Sequence, residues 1–179
     1  MIKSEEKKKN LGILLSKDNS TAIIQAIQML RDEEPFEGAI GLLASCYDRH
    51  SGESVNKEIE MFMNDLKDKS LRSEVINEIK KDHKPGTITM LVASCWQSGL
   101  DYSAFVMDFA EAFIRSEYAT SLECYTVLDE SIASLTLNEK AKLTGYLREK
   151  TNSIKGDKKA LASDLISGIE NRDQSSDEK

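Results

Sequence analysis

A chain of 179 residues is long enough for one domain of ordinary size and buries roughly 70% of its unfolded surface, so it folds without covalent staples. Apolar residues make up 40% and charged residues 31%, with Pro35 and Pro85 the only prolines and few aromatics, a composition that favours helices over strands. The net charge of −7 and the pI of about 5.0 speak against a nucleic-acid binder, which needs a basic face, and three cysteines are too sparse and odd a set for a disulfide framework.

The first element expected is a capping helix near 3–15, within a charged segment 1–18. Its Lys7–Lys9 run, beside Glu5 and Glu6, reads as a solvated, partly frayed end and not as a nucleic-acid arm. Leu11–Leu15 is too short for a secretory h-region, and no apolar run approaches the ~20 residues that cross a bilayer, so the expected location is the cytoplasm, with no membrane partner.

Apolar residues then recur at helical spacing almost to the end, and no useful stretch alternates with period two. Ile23, Ile27 and Leu30 predict a helix over 19–31; Phe36, Ile40, Leu43 and Ala44 one over 36–49; Val55, Ile59, Phe62 and Met63 one over 53–67; Leu71, Val75, Ile76 and Ile79 one over 70–82. Ile88, Leu91, Val92 and Cys95 mark 86–98, Phe105, Phe109 and Phe113 mark 102–116, and Leu122, Tyr125, Leu128 and Ile132 mark 120–134. Leu143 and Leu147, then Leu161, Leu165 and Ile169, mark helices over 137–150 and 157–169, and a polar, disordered tail is expected over 171–179. Ser20, Ser54 and Ser70 are placed to cap helix starts, Thr120 with Glu123 and Thr136 with Glu139 have capping-box spacing, and Pro35 and Pro85 suit first turns. Gly52, Gly99 and Gly156 fall where helices end.

An internal repeat organises these helices. Leu42-Leu43-Ala44-Ser45-Cys46-Tyr47 returns 49 residues later as Leu91-Val92-Ala93-Ser94-Cys95-Trp96, and the two prolines stand 50 apart. The unit spans three helices, 36–82 and then 86–134, and a helical period of this length is the mark of an α-solenoid. The pattern resembles the HEAT/armadillo superfamily. More narrowly, Val92 to Ser103, with Glu123-Cys124-Tyr125-Thr126-Val127 after it, is similar to a group of uncharacterised bacterial HEAT-like proteins. The resemblance implies an all-α, right-handed solenoid over 19–170, about ten helices with two recognisable repeats of about 50 residues. It implies a scaffold role and no catalytic residues. Two repeats are few for a long peptide groove.

Residues that bear chemistry read blandly. Cys46 and Cys95 hold equivalent late-helix positions and read as small packing residues. Cys46 and His50 share a helix face at i, i+4, but two ligands do not make a structural zinc site. His83, alone in Lys80-Lys81-Asp82-His83-Lys84, reads as a solvated helix end. Carboxylate pairs such as Glu58 with Glu60 and Asp108 with Glu111 read as wet helix faces, and no phosphate-binding glycine loop occurs. No catalytic residue, metal or cofactor is expected.

What remains is a surface. Glu74 and Asn77 (with Lys81) on one third-of-repeat helix and Glu123, Thr126 and Glu130 on the next, beside Trp96 and Tyr102, would suit a basic or extended peptide. The expected function is therefore a non-enzymatic protein-interaction or scaffold module whose partner is another protein or peptide. The alternatives are a HEAT-like DNA-repair or nucleic-acid-handling protein, disfavoured by the acidity, and a small-molecule pocket lined by Phe105, Phe109, Phe113, Met61 and Met63.

Overall fold

The computed structural model describes residues 2–50 and 52–174, and every regular element among them is helical. Ten α-helices follow in order: α1 (Ile2–Leu15), α2 (Ser20–Leu30), α3 (Ala39–Arg49), α4 (Glu53–Asn64), α5 (Arg72–Ile79), α6 (Pro85–Gln97), α7 (Val106–Arg115), α8 (Tyr118–Ser131), α9 (Leu137–Thr151) and α10 (Asp157–Gln174). Short 3₁₀ turns at Lys69–Leu71 and Ser103–Phe105 lead into α5 and α7, and a third at Ile132–Ser134 ends α8. No helix among the described residues is long and apolar enough to cross a membrane. Helix α10 runs four residues into the stretch expected to be a tail, and 175–179 lie outside the described residues.

The chain divides into two compact units, Met1–Leu100 with α1–α6 and Asp101–Lys179 with α7–α10. In the first, α3 touches α1, α4, α5 and α6, while α4 packs on α2 and α6. Its core is the expected set of stripes: Ile23, Ile27, Ile40, Leu43, Ile59, Met63, Ile79 and Leu91 are fully buried. In the second, α7 packs on α8 and α9, and α10 packs on α8 and α9, around Phe109, Phe113, Leu128, Leu143, Leu147 and Leu165. Each such side chain contributes about 1.5–3 kcal/mol on burial, which is why periodicity located the helices so well.

The ends differ from expectation more than the middles. Asn19, not Ser20, caps α2, its side chain accepting from the Ala22 amide. Ser54 lies inside α4, after Gly52 at the N-cap, and the 3₁₀ turn before α5 is capped by Asp68, which accepts from the Ser70 amide. Thr120 is buried within α8, which starts two residues earlier, so no capping box forms with Glu123. The neighbouring Ser121 hydroxyl instead donates to the Phe113 carbonyl and ties α8 to the end of α7. Pro85 does open α6, and Thr136 with Glu139 forms a complete capping box on α9. Pro35 opens no helix; α3 begins four residues later, after Gly38 in a left-handed conformation (φ 95°) that favours glycine. The Lys7–Lys9 run is not frayed. It is helical in α1, and Lys7 bonds Glu33 at 3.0 Å while lying over the Phe36 ring.

Several helix ends are closed by long side chains from elsewhere in the same unit. The Glu74 carboxylate of α5 accepts from the Gly38 and Gly41 amides, both at 3.1 Å, and so caps the N-terminus of α3. Lys67 Nζ donates to the Ser98 carbonyl after α6 at 2.8 Å, and Lys158 Nζ from α10 donates to the Ile114 and Ser116 carbonyls at the end of α7, both at 2.7 Å. A helix leaves four carbonyls unpaired at its C-terminus, and a cation there also meets the negative end of the macrodipole.

Candidate functional site

The surface residues expected from sequence fall on both units. In the first, Asn77 is exposed, Trp96 is half-buried, and Glu74 is half-buried with one oxygen committed to the start of α3. In the second, Tyr102 is 3% exposed and sits edge-on to Phe109 at 5.9 Å, so it is a core residue and offers no surface. Glu130 is exposed, Glu123 and Thr126 are half-buried, and the Thr126 hydroxyl donates back to the Leu122 carbonyl. Tyr118 and Leu122, one turn apart on α8, are exposed apolar neighbours of that face.

The residues named for a small-molecule pocket fall on both units. Phe109, Phe113 and Met63 are fully buried, while Met61 is 47% exposed on the solvent side of α4. Phe105 is half-buried, with its ring centroid 6.2 Å from that of Tyr102. Bulky residues at helical spacing were spent on packing.

The cysteines are buried packing residues. Cys46 and Cys95 are equally hidden in their two helices, and the Cys95 thiol donates to the Leu91 carbonyl one turn back. Burial pushes the Cys46 thiol up, against the partial relief of Arg49, and pushes Cys124 up to about 12. Neither is a reactive thiolate at neutral pH.

His83 is the largest departure from the sequence reading, because it is not solvated. Its side chain is 8% exposed and lies between two carboxylates: Nδ1 is 2.7 Å from Asp48 Oδ2 at the end of α3, and Nε2 is 2.9 Å from Glu78 Oε2 on α5. With a carboxylate at each ring nitrogen, the imidazolium donates both ways. Burial opposes that charge, but the hydrogen bonds and charges of Asp48 and Glu78 outweigh it and hold the pKa above 6.5. Asp48 is held below its usual range: burial alone would raise it, but the Thr87 hydroxyl, His83 and the Lys84 amide donate to its carboxylate. Lys84 Nζ closes the end of α3 by donating to the Asp48 carbonyl, and Lys81 Nζ pairs with the second oxygen of Glu78, both at 2.5 Å. Glu78 reaches this position because residue 41 has no side chain; a Cβ there would lie 2.7 Å from Glu78 Oε1.

The arrangement joins α3, α5, the loop after it and the start of α6. Both ring nitrogens are engaged, which leaves no lone pair to accept a proton or bind a metal in this geometry. Among the described residues no group of three or more His, Cys, Asp or Glu side chains is placed to hold a metal ion. Two signals pointed here. Glu78 stands three residues after Val75 on the apolar stripe of α5, and Gly41 interrupts an otherwise strong helix.

An accessible feature of the first unit is an apolar cleft beside the loop from Arg31 to Gly38. One part, about 340 Å³, is lined by Leu30, Phe36, Ile40, Phe62, Leu66 and Leu71. Two further depressions share Phe36 with it, one reaching Ser73, Glu74 and Asn77 on α5 and the other Leu11 and Leu14 on α1. Of the surface residues expected from sequence, Glu74 and Asn77 line this cleft, while its floor comes from α2, the loop before α3, α3, α4 and the segment between α4 and α5.

No protein-family model matches the chain, and no similar protein is found among curated ones.

Proposed function

We propose that this chain is a non-enzymatic protein-interaction module, a short HEAT/armadillo-like solenoid that engages another protein through the cleft around Phe36. The observation that carries the reading is the cleft: three depressions meeting at one aromatic side chain, with an apolar floor and a polar rim. The fate of the chemically capable residues supports it. His83 is saturated by two carboxylates and the cysteines are buried, so the groups most suited to catalysis are used in holding helices together. The solenoid part of the proposal rests on the repeated sequence, on equally buried Cys46 and Cys95 beside half-buried Tyr47 and Trp96, and on the direct contact of the two helices that carry them.

Ser73→Arg with Asn77→Arg fills one arm of the cleft from exposed positions. Quantitative affinity capture from native lysate should lose specific partners by about tenfold with this variant and keep them with Glu111→Lys, on the exposed face of α7. The same partners recovered in equal amount with all three proteins would refute the reading.

A further inference from the structure

We propose that the occupant of the cleft is an extended, positively charged peptide segment carrying an apolar anchor, an assignment that rests on the interaction reading above. The anchor follows from the floor, where Leu30, Phe36, Phe62, Leu66 and Leu71 are each covered yet reachable. The extended form follows from the three depressions meeting at Phe36, since a compact ligand would occupy one of them.

The sign of the charge follows from what the rim has already spent. The walls carry Glu33, Glu37, Asp65, Asp68 and Glu74 against Lys7, Arg31 and Lys67. All three cations are engaged: Arg31 by Asp65 at 2.7 Å and Glu58 at 3.7 Å, Lys7 by Glu33, and Lys67 by the Ser98 carbonyl. Glu37, exposed, and Asp68, half-buried, lie on different arms, and no cation among the described residues pairs with them. The loop above the cleft adds exposed Asp32 and Glu34, so the stretch from Asp32 to Glu37 holds four carboxylates and no base. An incoming Lys or Arg meets unneutralised negative charge on both arms and lays its aliphatic stem along the apolar floor, while an acidic segment is repelled.

The test is a random-peptide display selection against the full chain, followed by affinities of the recovered peptides at low and high salt. Peptides displaced by Ser73→Arg with Asn77→Arg should share an aromatic or aliphatic anchor flanked by Lys or Arg. Their affinity should weaken about fivefold or more in Glu37→Lys with Asp68→Asn, which keeps an oxygen for the Ser70 amide, and should be restored when the peptide's Lys are exchanged for Glu. Glu111→Lys should leave it unchanged. Cleft-binding peptides with neutral or acidic flanks, indifferent to the charge changes, would overturn the charge assignment and leave the interaction reading standing. Failure to recover any peptide that the cleft variant displaces would overturn both. A dimer in light scattering that the cleft variant dissociates would replace the peptide with a second copy.

Discussion

His83 donates from both ring nitrogens, so one proton sets the charge balance of the buried cluster it shares with Asp48 and Glu78. Its folded pKa lies above 6.5, so its stabilising contribution is complete below pH 6.5 and is lost as pH rises through the raised folded value. Asp48 works the other way: its contribution is complete above pH 3.8 and is lost as pH falls through the lowered folded value. The cluster therefore stabilises most between these limits. His83→Gln should cost about 3 kcal/mol near pH 6, the low end for breaking a buried pair because Lys81 still pairs with Glu78 and the Thr87 hydroxyl and Lys84 amide still donate to Asp48. It should also flatten the alkaline fall of Tm. Melting curves across pH check this, and an alkaline limb identical in the two proteins would contradict it. Gly41 supplies a second test at the same spot. Ala normally gains about 1 kcal/mol over Gly in a helix, but its Cβ would press on Glu78, which His83 and Lys81 hold in place. Gly41→Ala should thus destabilise by about 1–2 kcal/mol in chemical denaturation. Gly145→Ala in α9, with nothing near its Cβ, should stabilise by about 0.5–1 kcal/mol.

Helices here are located by their own stripes and finished by their neighbours. The stripes are local, so periodicity gave α9 to within a residue of its end and α6 to within one at its start. The caps are not local. Ser20 lost to Asn19 because the helix began one residue earlier, and Thr120 kept the spacing of a capping box while standing inside α8, where Thr-x-x-Glu has no such meaning. The N-terminus of α3 has no side-chain cap of its own and takes Glu74 from α5, 33 residues beyond Gly41, a pairing that no window along the chain can display. Glu74→Ala should cost about 1–2 kcal/mol, and Glu74→Gln, which retains an acceptor oxygen, less. Native-state hydrogen exchange should show the loss first at the Gly38 and Gly41 amides. Exchange accelerated equally across α1–α6 would mean that Glu74 acts on global stability and not as a cap.

For the whole molecule, the repeat and the contacts divide the chain at different places. By sequence, α6 opens the second repeat, and a natural cut falls between Lys84 and Pro85. By contact, α6 belongs with the first unit, where it touches α3, α4 and α5. The bonds agree with the contacts: the Thr87 hydroxyl donates to Asp48, and Lys67 closes the end of α6 at Ser98. The proposed solenoid would permit this, since in such a stack each repeat is completed by its neighbour, and the sequence alone cannot show which helix of a repeat does the completing. The energies separate the two cuts. Removing α6 uncovers the surfaces under Ile88, Met90, Leu91, Val92 and Cys95, all buried. At about 1.5–3 kcal/mol for each of the four large side chains, that loss is comparable to the ~5–15 kcal/mol by which a domain is usually stable. A fragment of residues 1–100 should therefore melt cooperatively with full helical signal, and one of residues 1–84 should not. Circular dichroism and urea titration of the two fragments decide the matter: a sharp transition for 1–84 would return α6 to the second repeat and make the contact boundary incidental to folding.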